Sequence, residues 1–108
     1  MDTNCAGSGD RAAGLSADLA RRIAAIDWRA SAGRIGADLA GIRAQAARHD
    51  MLPVVTVARA LESALARGER GPLVHGWLAL LREAAASVRQ DAAASQAFAA
   101  ACAVRLAA

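Results

Sequence analysis

Two histidines, two cysteines, three glutamates and seven aspartates are the side chains through which this chain could do acid–base, nucleophilic or metal chemistry. They are dispersed. Glu62, Glu69 and Glu83 stand apart from one another, and Asp2 and Asp10 fall in a polar N-terminal stretch. General acid–base catalysis needs groups that converge on a pocket, and no spacing here predicts convergence. There is no His-Glu-x-x-His pair, no glycine-rich phosphate loop, no clustered cysteine and no tyrosine. Cys5 and Cys102 offer at most one bridge between the two chain ends, and neither has a metal-ligand neighbour. The expectation is a protein that is not an enzyme, with no cofactor and no metal site. His49, between Arg48 and Asp50, reads as a histidine at a helix C-terminus, where a cation suits the dipole. His75 reads as a boundary residue beside an apolar stripe. Either is also a candidate phosphate acceptor.

The elements that would position these residues are helices. Hydrophobic residues make up 56% of the chain, but more than half of those are alanine, the strongest helix former. The larger apolar side chains, roughly a quarter of the residues, suffice for one modest core in a single domain. Residues 1–14 read as a disordered leader and 15–108 as one helical domain. Ser16 looks like an N-cap for a first helix carrying Leu19, Ile23 and Ile26 and ending near Trp28. A second segment from about Ser31 to His49 carries Ile35, Leu39, Ile42 and Ala46 at spacings of four, three and four. Pro53 then opens a third helix with Val54, Ala58, Leu61 and Leu65, stopped by Gly68. After Gly71-Pro72, a fourth carries Val74, Trp77, Leu78, Leu81, Ala85 and Val88. A break near Gln90-Asp91, with Asp91 as cap, would start a fifth bearing Phe98, Cys102 and Leu106. Short connections make sequential neighbours antiparallel, so the fold expected is all-α: an up-and-down four-helix bundle with an additional C-terminal helix.

All thirteen basic residues are arginine, which with the abundance of Ala and Gly suggests a GC-rich bacterial genome. The net charge of +3 is small and its acids are interspersed, which argues against nucleic-acid binding. No apolar run approaches the length of a membrane span and the first residues lack a signal-peptide pattern, so a cytoplasmic location is expected.

The second helix is unusual on its outer side. Gly33, Gly36, Ala40, Ala44 and Ala47 fall together on the helical wheel, away from the apolar stripe and flanked by Arg43. Each glycine within a helix costs about 1 kcal/mol relative to alanine. A smooth, costly face of this kind suggests close packing of something against it, whether a partner, a second copy across a two-fold axis, or the fifth helix. Trp28, beside Arg29, either covers the bundle end or offers a contact to a partner.

Helices two and three also carry a pattern of their own. Ala40 is followed by Ile42 and Arg43, then the small residues Ala44 and Ala46; Met51-Leu52-Pro53-Val54 forms the turn, and Ala58-Arg59-Ala60-Leu61-Glu62 closes the pattern. This resembles the core of histidine-containing phosphotransfer (HPt) domains, where a His is followed by an apolar residue and Lys, small residues, a loop and a helix ending in Leu-Glu. Two departures matter: Ala40 occupies the place of the phosphorylated His, and Arg43 that of the Lys. The resemblance implies a degenerate member in two-component signalling that keeps a docking face at Gly36, Ala40, Arg43, Ala44 and Ala47 but has lost transfer at the usual position. Its implied partners are a response-regulator receiver domain or a histidine kinase. Working phosphotransfer through His49 or His75, and a self-associating helical module, are the alternatives.

Overall fold

In the computed structural model, which describes residues 3–107 and the side chains of residues 14–107, five helices follow one another with no strand among the described residues. They are α1 (Thr3–Ala24), α2 (Ala32–Arg48), α3 (Leu52–Ala66), α4 (Pro72–Ala86) and α5 (Ala92–Ala107). The chain is an antiparallel four-helix bundle with a C-terminal helix laid on its outside. Neighbours α1–α2, α2–α3 and α3–α4 pack in sequence and α4 closes the ring on α1, while α5 lies along α3. Thr56 and Ser95 share a hydrogen bond near the starts of α3 and α5, and Arg67 donates to the Leu106 carbonyl near their ends. Those two helices therefore run parallel.

The core contains most of the stripes the periodicity predicts and widens them by Pro53, Val57, Ala64 and Leu80, while Phe98 and Leu106 are only partly buried. Leu19, Ile23, Ile35, Leu39, Ile42, Val54, Leu61, Val74 and Leu81 are all buried, with Trp77 the largest fully buried side chain. Val88 departs from the expected stripe. α4 ends at Ala86, so Val88 falls in the following loop and is wholly exposed. Ser16 departs too. It sits inside α1, not at its start, and its hydroxyl donates to the Ala85 carbonyl, tying α1 to the end of α4. α1 begins at Thr3, within the stretch read as a leader, because Arg11, Ala12 and Ala13 favour helix and no proline intervenes. Met1 and Asp2 of that stretch lie outside the described residues. α1 also stops at Ala24, short of Trp28, which lies in the turn before α2.

Turn chemistry fixes the other boundaries. Ser31 caps α2 by accepting from the Arg34 amide. At its far end the Asp50 amide donates to Ala47 and the Met51 amide to Ala46, with Asp50 left-handed at φ 54°. The end of α3 repeats this arrangement: Gly68 donates to Leu65 and Glu69 to Ala64, with Gly68 at φ 97°. Both are Schellman closures, and glycine adopts that backbone without strain. Asp91 caps α5 as expected, its Oδ1 accepting from the Ala94 amide at 2.9 Å.

The Asp91 cap has a pH signature. The amide hydrogen bond from Ala94, and then that from Arg89, hold the carboxyl below its ordinary pKa. A depressed folded-state pKa adds stability that is present above the unfolded pKa and lost as pH falls through the folded one. Asp91→Ala should therefore melt at a lower temperature than wild type at neutral pH. The gap should close on acidification through the carboxyl range, whereas Asp91→Asn should cap α5 with no such pH dependence. Melts followed by circular dichroism between neutral and acidic pH check this.

Candidate docking face

α2 turns Ile35, Leu39, Ile42 and Ala46 fully inward, and this fixes where its other residues lie. Gly36, Ala40 and Arg43 sit on the flank towards α3 and are half-buried, while Gly33, Ala44 and Ala47 are exposed. The predicted site residues thus share one side of α2, but the face is not a property of that helix alone. Ala32, Gly33 and Gly36 form one wall of a shallow groove of about 360 Å3, and Glu62, Leu65 and Ala66 of α3 form the other. α5 packs on α3 and does not take the place of a cover over α2.

Arg43 joins the two walls. Its Nε donates to Glu62 Oε1 at 2.7 Å and its Nη2 reaches Glu62 Oε2 at 3.5 Å. The hydrogen bond and the charge of Glu62 hold the guanidinium above its ordinary pKa. Both side chains stay about one-third exposed, so solvent screens the pair and its main effect is to set position. Arg43 is thus a strut between α2 and α3 as well as part of the surface. Sequence reading missed Glu62, Leu65 and Ala66 as members of this face. The available signal was the Leu61-Glu62 closing segment, since antiparallel pairing of α2 with α3 brings an acidic residue there opposite Arg43.

Three glycines of α2 and Gly76 of α4 show which positions answer to internal packing. A Cβ at Gly41 would lie 2.7 Å from the Arg22 guanidinium, which crosses α2 to hydrogen-bond Gln45. A Cβ at Gly76 would lie 3.2 Å from Arg105, the residue by which α5 lies over Trp77. At Gly33 and Gly36 an added Cβ meets nothing within 4 Å. Nothing inside the described protein requires these two to be glycine. Gly36→Ala should accordingly raise stability by about 0.5–1 kcal/mol, and Gly33→Ala, in the first turn of α2, by less. Denaturant melts of the two single variants check this.

The histidines stand elsewhere. His49 is the exposed C-cap of α2, at the rim of a cleft of about 480 Å3 formed with Leu15, Ser16, Met51, Ala85 and Val88. His75 is exposed on α4, edge-on to Trp28 with ring centroids 5.8 Å apart. Neither belongs to the α2–α3 groove. Cys102 is buried, and desolvation pushes its thiol up despite the opposing charge of Arg105, so it remains a protonated core residue. The side chain of Cys5 lies outside the described residues. Among the described residues no three His, Cys, Asp or Glu side chains are grouped to hold a metal ion, and no helix is long and apolar enough to cross a membrane. No protein-family model, curated protein or solved structure gives a significant match to the chain.

Proposed function

We propose that this protein is an HPt-like interaction module of bacterial two-component signalling, which docks a response-regulator receiver domain through the α2–α3 face without accepting its phosphoryl group. The observation that carries the reading is Gly36, a helix-interior glycine under open space, with Gly33 in the first turn of α2 on the same side and the Arg43–Glu62 pair on the same flank. At Gly36 helix stability is given up with no internal contact in return. A backbone that another protein approaches closely would account for it. Of the residues matching the HPt pattern, Ala40, Arg43 and Glu62 are half-buried and Ala44 is exposed on that side, while Ile42, Ala46, Ala58 and Leu61 are in the core; in the resemblance Ala40 takes the place of the phosphorylated imidazole. An alanine methyl can take part in packing but cannot bind phosphorus.

Calorimetric titration with purified receiver domains from the same genome tests the docking half of the proposal. Micromolar binding by at least one receiver supports it, and no binding by any removes it. Incubation with phosphorylated receivers, followed by detection of acid-labile phosphate, tests the other half. No label is expected; label on His49 or His75 would replace the reading with a working phosphotransfer protein. The open glycine face also admits a second copy of the chain. Light scattering at high micromolar concentration separates these readings, since the receiver-docking account expects a monomer.

A further inference from the structure

On the opposite side of the bundle, the turn after α1 meets the first half of α4 around Trp28. Ile23, Ile26 and Leu78 form a buried apolar floor, and Trp28, His75 and Arg82 border a recess of about 170 Å3 above it. His75 and Arg82 are seven residues apart, two turns along one side of α4. The Arg29 guanidinium lies over the Trp28 ring with its central carbon 4.6 Å from the centroid, and His75 meets the same ring edge-on. The indole is thus held between the Arg29 guanidinium and the His75 ring.

The charges here are unbalanced. No acidic side chain lines the recess. Among the described residues Arg82, like most of the arginines, has no carboxylate within ion-pair distance; what sets it apart is its place at the rim of an apolar recess. The neighbouring acid, Asp27, uses Oδ1 to accept from the backbone amide of Arg29 at 2.9 Å. The Arg82 guanidinium beside the His75 imidazole, at the rim of an apolar hollow, matches a ligand with an anionic head and a short hydrocarbon body.

We infer that the Trp28–His75–Arg82 recess binds a small organic carboxylate, its carboxylate on Arg82 and His75 and its aliphatic part on Ile23, Ile26 and Leu78. The volume suits a body of a few carbons. The site lies on the α1–α4 side, so this inference stands or falls independently of receiver docking at α2–α3.

The test is an NMR titration of the 15N-labelled protein with butyrate, its neutral isostere butyramide, and inorganic phosphate. Saturable shifts of the Trp28 indole N–H and of backbone amides around His75 and Arg82 are expected with butyrate, in the millimolar range, and not with butyramide. Arg82→Gln should weaken butyrate at least about tenfold, while Arg59→Gln, on the far side of the bundle, should leave it unchanged. An equal response to butyrate and butyramide, or butyrate shifts that never saturate, would overturn the inference. So would undiminished affinity in Arg82→Gln, or saturation by phosphate alone. Arg82 is exposed and makes no hydrogen bond to another described residue, so its replacement tests binding with the fold intact.

Discussion

Replacing Trp77 by alanine should lower stability by about 3–5 kcal/mol, the largest loss expected from any single side chain here. The indole is 1% exposed at the centre of α4, where Val74, Leu78 and Leu81 surround it in sequence and are themselves buried. It also carries a polar obligation, since Nε1 donates to Glu69 Oε2 at 2.9 Å and ties α4 to the turn before it. On its other side Arg105 of α5 lies 6.0 Å from the ring centroid, over the position that Gly76 leaves open. Truncation therefore removes core volume, leaves Glu69 without its donor and loosens the seat of α5 together. For a domain of this length, with total stability of about 5–15 kcal/mol, the melting temperature should fall by about 15–30 °C. Trp77→Phe separates the causes. It keeps much of the volume and loses the hydrogen bond, so it should cost clearly less than alanine. Equal losses in denaturant melts would show that the Glu69 contact, not packing, dominates.

The periodic stripes were legible because burial in a bundle depends mainly on which side of a helix a residue occupies. Ile35, Leu39, Ile42 and Ala46 repeat at four, three and four, and that spacing admits one inward direction. Turn chemistry was equally legible at Gly68 and Asp91, whose roles are set by their own backbone and side chain. Ser16 shows where local reading ends. A serine before a helical stripe is a cap in isolation, but its hydroxyl instead meets Ala85, distant in sequence and brought alongside by the closure of α4 on α1. The candidate docking face divides in the same way. Its glycines and alanines could be placed on one side of α2 from the sequence, whereas Glu62, Leu65 and Ala66 come beside Gly33 and Gly36 only through the pairing of α2 with α3. Trp28 could not be assigned because its other neighbour, His75, is brought to it from α4.

The largest functional effect should come from Ala40→Arg. Ala40 lies on the α3-facing flank of α2, one turn from Gly36 and beside the Arg43–Glu62 pair. In the proposed docking mode a long charged side chain there would stand in the receiver's approach and add a second cation next to Arg43. Ala40 is half-buried, so folding should lose a little stability, limited because arginine is a good helix former and its stem can run outward along the surface. Receiver binding should weaken about 100-fold or more, the scale of a central interface residue made incompatible with close packing. A variant that melts like wild type and binds like wild type would show that Ala40 is not at the interface. Loss of binding accompanied by a large fall in melting temperature would place the residue in the core instead.

The account rests on where a receiver domain sits. Chemical-shift mapping of the 15N-labelled protein during titration with a binding receiver measures that directly. The account predicts shifts concentrated at Gly33, Gly36, Ala40, Arg43, Ala44 and Ala47 and on the facing residues Glu62 and Ala66, with Trp28 and His75 unmoved. Shifts centred on α1 and α4, or on the cleft beside His49, would contradict it.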